Sequence, residues 1–223
     1  MTPITYDNLP DILTRDISEK IIRNEIKPGQ RILEAKIAEE MGVSRSPVRE
    51  ALRILEKNRL VELIPRKGAR VTEITAQHIE WYYDIYEALY SLVARKAAEN
   101  ANEDDIKKMW EALKNIEIAA DHGDVESYYN GIFEFAAVGM QAAGNSLLEQ
   151  MVIELWPSNR RIQFASLMFR ADDLKQNAVF FRKVSEYIEK GNAQKAEDVI
   201  RDYAHNEKAF ALKIVNGSKK LKQ

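Results

Sequence analysis

Residues 32–71 read ILEAKIAEEMGVSRSPVREALRILEKNRLVELIPRKGARV, and the order of elements in this run decides the fold of the first third of the chain. A short helix is predicted over 34–41, with Leu33, Ile37 and Met41 on one side and Gly42 closing it in a left-handed cap. A second helix is predicted over 45–57. Ser44 or Ser46 can cap it, and Pro47 falls in its first turn, where no amide donor is missed. Val48, Leu52 and Leu55 form its buried face, and Asn58 ends it. Leu60–Ile64 and Ala69–Val71 then flank Pro65-Arg-Lys-Gly68 and read as a β-hairpin with a basic tip. Upstream, Leu13, Ile17 and Ile21 recur every four residues within a helical stretch over 10–24, which Pro28-Gly29 stops. Three helices followed by a two-stranded wing make a winged helix-turn-helix.

The charge falls where such a unit would use it. Over 44–72, Arg45, Arg49, Arg53, Lys57, Arg66, Lys67 and Arg70 stand against Glu50, Glu56 and Glu62, although the 223-residue chain has a formal net charge of −2. A basic stretch on an acidic protein is the footprint of a polyanion partner; on charge alone, a solvated helix face is the other reading. Arg45, Arg49 and Arg53 line one side of the predicted recognition helix. Arg45 and Arg49, near its N-terminus, can reach base edges in a major groove, where the planar fork of arginine suits O6 and N7 of guanine. The hydroxyls of Ser44 and Ser46 can bind phosphates. Arg66 and Lys67 at the wing tip can enter a minor groove or neutralise phosphates, and Gly68 permits the sharp turn there.

Composition narrows the remaining classes. Hydrophobic residues make up 45% of the chain, enough for real cores. The absence of Cys excludes disulfides and thiolate zinc sites, and three histidines (His78, His122 and His205) are too few for a multi-histidine cluster. With no convergent carboxylate set either, the chain does not read as an enzyme. No apolar run reaches the length of about 18 residues that a membrane span needs. The opening MTPITYDNLPDIL lacks the basic and apolar regions of a secretory signal, so a cytoplasmic location is expected.

Everything after Thr72 reads as helix, over 76–101, 103–121, 124–143, 145–169, 172–190 and 193–216, with a kink expected at Pro157. The breaks are Asp121-His-Gly-Asp124, Gly144-Asn145, Arg170-Ala-Asp-Asp173 and Gly191-Asn192. The expected fold is therefore mostly α: a winged helix-turn-helix over 1–72, a linker over 73–75, and an all-α antiparallel helical bundle over 76–223.

The string VSRSPVREAL and the GARV wing end resemble the DNA-binding domain of the GntR family of bacterial transcription regulators. Val71-Thr-Glu-Ile-Thr75, the Ala-rich ARKAAENA, AAGNSLL at 142–148 and the EKGNAQKAEDVIRDY segment resemble the FCD type of effector domain. The resemblance implies a homodimer that reads a palindromic double-stranded DNA operator. It carries family DNA contacts onto Arg45, Arg49 and Gly68, and a further polar contact from the second helix onto Lys36. Many FCD domains also hold a metal through one Asp and three His. Aligned on Gly144-Asn145 and Gly191, those positions fall on Ile132, Ala136, Phe181 and Tyr203, and the family's polar effector contacts in the first bundle helix fall on Leu89 and Val93.

These replacements imply a bundle that takes no metal and no other cofactor. Buried carboxylates and imidazoles without a cation cost several kcal/mol to desolvate, so they are expected to disappear as a set. Family members that respond to fatty-acyl-CoA also lack the metal. The expected effector is a largely apolar small molecule, an acyl or aromatic acid or its CoA ester. Its candidate lining is Tyr86, Leu89, Tyr90, Val93, Ile132, Ala136, Trp156, Arg160, Phe181 and Tyr203. The alternative is a constitutive DNA-binding dimer whose aromatic residues only pack the bundle.

Overall fold

Asn8 caps the first helix, its side-chain oxygen accepting from the amide of Asp11 at 3.1 Å, and Pro10 sits in the opening turn. This helix, α1 (Leu9–Ile22), buries Leu13, Ile17 and Ile21, the residues that recur every four positions. The computed structural model describes residues 8–65, 67–170 and 173–220, with the backbone alone at 218–220. It divides into two units, the first comprising the chain up to Ile74 together with Trp156–Ile162.

In the first unit α1 is followed by β1 (Arg31–Ile32), α2 (Glu34–Glu40), α3 (Arg45–Lys57), β2 (Val61–Ile64) and β3 (Gly68–Val71). Val48, Ala51, Leu52 and Leu55 of α3 join Leu13, Ile17, Ile21, Leu60 and Val71 in one apolar core. The sheet has the order β1-β3-β2, antiparallel throughout, with Val61 opposite Val71 and Ile64 opposite Gly68.

Three details differ from the sequence-based expectation. The wing has a third strand, β1, in which Arg31 pairs with Arg70 and Ile32 with Ala69. Two residues carry no alternating pattern, so only the pairing itself makes this strand. Ser44 occupies the N-cap position of α3 with extended backbone, but its side chain makes no capping hydrogen bond. The buried residue of α2 is Ala38, while Leu33 and Met41 are exposed, because so short a helix sets only one narrow face on the core.

The second unit holds α4 (Ala76–Asn100), α5 (Glu103–His122), α6 (Val125–Ala143), most of α7 (Ser146–Leu167), α8 (Leu174–Glu189) and α9 (Ala193–Lys220). Helix α4 packs on α6 and α9, α5 on α6 and α8, and α8 on α9. Side chains cap most of the starts: Thr75 for α4, an Asn102–Asp105 capping box for α5, Asp124 for α6 and Asn145 for α7. Helix α7 runs through Pro157 to Leu167. Winged helix-turn-helix and helical bundle are both present, and the chain is mostly α as expected. Among the described residues no helix is long and apolar enough to cross a membrane.

Candidate nucleic-acid interface and bundle interior

Helical periodicity separates the two faces of α3. With Val48, Ala51, Leu52 and Leu55 turned into the core, Arg45, Arg49 and Arg53 are left exposed, and Ser44 and Ser46 are exposed at the N-terminal end. Lys36 on α2 is exposed and lies 3.7 Å from Glu40. On the wing Lys67 is exposed and Gly68 half-buried, while Arg66 lies outside the described residues. Gly68 has φ +83°, and a Cβ there would sit 2.2 Å from the carbonyl oxygen of Ile32. Glycine is therefore required where β1 closes on the wing, whatever contact the tip makes with DNA.

Arg49 is held by a residue that the sequence reading passed over. Its Nε donates to Oε1 of Glu34 at 3.2 Å and its Nη2 to Oε2 at 2.8 Å. The hydrogen bond from Arg49 holds the Glu34 carboxyl below the usual carboxylate range against a raising effect of burial, and the charges of Arg49, Arg45 and Arg53 add to the lowering. The same bond raises the Arg49 guanidinium. Nothing local marks the pair, since fifteen positions separate its members; only the helix-turn-helix fold brings the start of α2 to the middle of α3.

Trp156 and Arg160, expected in the bundle interior, belong instead to the first unit. There Arg160 lies 3.6 Å from Glu19 of α1 and over the Trp156 ring. Its neighbour Arg161 donates to Oγ1 and the carbonyl oxygen of Thr72 at 2.8 and 2.7 Å. Burial pulls this guanidinium down to about 10. The middle of α7 thus serves the first unit, which helical periodicity alone does not reveal.

The second unit brings most of the other expected lining residues into an aromatic interior. Tyr86 and Tyr90 stack at 4.1 Å between ring centroids. Tyr203 meets Phe181 at 5.2 Å and Phe180 at 5.6 Å, and Phe181 meets Phe135 at 5.3 Å. Val93 and Ile132 are buried, whereas Leu89 and Ala136 are only half-buried. Ile132, Ala136, Phe181 and Tyr203, expected at the family's metal positions, are thus three hydrocarbon side chains and a phenol, which do not fit a cation. Among the described residues no group of three or more His, Cys, Asp or Glu is placed to hold one. His205 is exposed and lies 3.0 Å from Glu87.

A polar centre lies one helical turn from those positions. Tyr128, one turn before Ile132, donates to Oδ1 of Asn177 at 2.6 Å. Asn177, one turn before Phe181, donates to Oε1 of Glu207 at 2.8 Å. Glu207, one turn after Tyr203, pairs with Arg170, whose guanidinium covers the Phe210 ring. All four are buried. Oε2 of Glu207 and Nε of Arg170 have no hydrogen-bond partner among the described residues. Burial raises the Glu207 carboxyl, opposed by the Arg170 charge and by hydrogen bonds from Arg170 and Asn177. The interior is more polar than the substitutions at the metal positions imply. The signal was a polar residue four positions from Ile132, Phe181 and Tyr203, with none so displaced from Ala136.

Residues 12–71 match the family described as bacterial regulatory proteins, gntR family, and residues 82–206 match the FCD domain. An uncharacterized HTH-type transcriptional regulator of Bacillus subtilis (strain 168), YdhC, is 26% identical over 194 residues, 85% of each chain. The gluconate operon transcriptional repressor of Bacillus licheniformis is 29% identical over 175 residues, 76% of this chain and 68% of the repressor. Among solved structures, E. coli McbR/YncC has a TM-score of 0.79 at 19% identity, covering 92% of this chain and 98% of that one, a likeness of fold.

Proposed function

The chain belongs to the GntR family of bacterial transcription regulators and carries an FCD domain, and on that premise we propose a ligand-responsive regulator that binds a palindromic operator as a homodimer in the cytoplasm. The observation that carries the reading is the exposed row Arg45, Arg49 and Arg53 on a helix whose opposite face is wholly buried. Arg45 and Arg49 read base edges. Lys36, Ser44, Ser46, Arg53, Lys67 and the Gly68 backbone place the helix by contacts to phosphates and the neighbouring groove, together with Arg66. The named relatives are transcription regulators, not enzymes.

The homodimer is supported by an apolar strip on α4, where Trp81 is 62% exposed and Ile85, one turn on, is 46% exposed. The effector is a largely apolar acyl or aromatic acid, or its CoA ester, held without metal against Tyr86, Leu89, Tyr90, Val93, Ile132, Ala136, Phe181 and Tyr203. The Nε–H of Arg170, without a hydrogen-bond partner among the described residues, supplies a donor for an acid head. Binding shifts operator affinity through a coupling free energy of about 1–3 kcal/mol.

Native mass spectrometry of the purified full chain, set against its denatured mass, tests the ligand and dimer parts. A dimer with an organic adduct and no metal is the expected result. One divalent metal per chain would overturn the metal-free reading, and a monomer at micromolar concentration would overturn the dimer. Selection of duplexes from a random-sequence pool tests the rest: an inverted repeat is expected. An adduct-free dimer whose DNA binding ignores acyl and aromatic acids points to the other reading, a bundle that only dimerises.

A further inference from the structure

We infer that Glu34 is a positioning residue for DNA recognition: it holds the Arg49 guanidinium in a fixed orientation with one complete hydrogen-bonding fork unpartnered among the described residues. The inference rests on the reading of Arg49 as a base contact.

Arginine has five N–H groups, arranged in a plane. The two oxygens of Glu34 take Nε and one hydrogen of Nη2, the side edge of the group. The forward edge remains, made of the second Nη2 hydrogen and one from Nη1. Those two bonds are parallel, which is the geometry that O6 and N7 of guanine accept. The Glu34 pair therefore does not compete with a bidentate base contact; it occupies the edge that the base does not need.

Placement supports the same role. Glu34 is the first residue of α2 and Arg49 lies on α3, so the pair spans the two helices of the motif. The Arg49 side chain is 55% exposed and that of Glu34 is 23% exposed, so the buttress sits behind the reading head. Arg45 and Arg53 flank the pair closely enough to act on the Glu34 carboxyl, so the carboxylate stays charged while three cations face the DNA. A long arginine free to sample its rotamers loses that freedom on binding; one already clamped has less to lose.

A carboxylate near DNA also repels phosphates, and this makes the inference separable from a plain charge effect. If Glu34 only screened Arg49, its removal would tighten binding to every duplex. If it positions Arg49, its removal lowers affinity for the preferred duplex while affinity for a shuffled duplex of equal length and composition stays level or rises.

The experiment uses the full chain at one fixed salt concentration. Probes are the best duplex selected from a random pool and its shuffled counterpart, with binding followed by fluorescence anisotropy. Glu34→Ala is expected to lower the ratio of specific to non-specific affinity about tenfold. In an Arg49→Ala background the same change is expected to leave the ratio unaltered. Glu34→Gln, which keeps the shape and one acceptor, should fall between and serves if the alanine variant fails to fold. A ratio that is unchanged or raised by Glu34→Ala, or an equal loss in both backgrounds, would overturn the inference while leaving Arg49 as a base contact. If Arg49→Ala itself leaves the ratio intact, or the pool yields no preferred duplex, the underlying reading fails and the inference with it.

Discussion

A methyl group on Gly68 has no space to occupy. The backbone there is left-handed, and the ideal Cβ position lies 2.2 Å from the Ile32 carbonyl oxygen. Gly68→Ala is expected to cost about 1–3 kcal/mol from the backbone alone, with the clash adding to it. Gly42→Ala is the control, because Gly42 has φ +65° but its Cβ would meet nothing within 4 Å. In urea melts of the full chain, the difference between the two variants isolates the clash; equal losses would show that β1 does not press on the wing. Arg170→Met leaves Glu207 without its cation and is expected to destabilise the chain by about 3–5 kcal/mol at neutral pH. Burial raises the Glu207 carboxyl, so its contribution is fully present below the unfolded carboxylate range and is lost as pH rises through the folded value. Removing Arg170 takes away the main opposing effect. The gap between variant and wild type should therefore shrink as the pH of the melt is lowered from 7.5 to 5, and a gap that does not change with pH would rule out Glu207 as its source.

At the scale of elements, the wing is expected to act through charge rather than through base reading. Lys67→Ala should weaken binding to specific and shuffled duplexes alike and reduce the slope of log affinity against log salt by about one. A loss confined to the preferred duplex would instead make Lys67 a base contact. Helix α3 carries the opposite expectation, since Leu52 is wholly buried and Leu52→Ala should cost about 2–5 kcal/mol in the same melts. The contrast also shows what could be read from sequence. The span of α3, its two faces and the hairpin follow from periodicity and turn residues, which are local. Gly123, Gly144 and Gly191, all with positive φ, end helices at sites the sequence marks. What was hidden depends on partners far along the chain. β1 exists because it pairs with β3, Arg49 meets Glu34 across the motif, and Trp156–Ile162 of α7 group with the first unit. The Arg170–Glu207 centre was missed for a related reason. The resemblance places the ligand positions on Ile132, Phe181 and Tyr203, while the polar chemistry of this chain sits one turn away on each of those helices.

For the whole molecule, the proposed homodimer makes the sharpest demand. An operator with two half-sites is bound tightly only if both recognition helices belong to one particle, because the second contact is then intramolecular. The apolar strip of α4 is the surface whose loss should break that particle. Trp81 and Ile85 are exposed, and a twofold contact uses each changed residue twice. Trp81→Asp should therefore weaken the dimer by at least about 2 kcal/mol, a shift of some thirtyfold or more in its dissociation constant. The fold of each chain should survive, since the side chain supports no core of its own protomer. Sedimentation at micromolar concentration should show the variant moving toward the 25.6 kDa monomer, with its helical signal unchanged. Affinity for a duplex carrying one half-site should stay close to that of the wild type, while affinity for the full inverted repeat should fall toward the half-site value. If the variant remains dimeric and keeps its preference for the inverted repeat, α4 is not the dimer surface. If it becomes monomeric yet binds the inverted repeat as tightly as before, each chain finds its half-site alone and the palindrome is not what the protein reads.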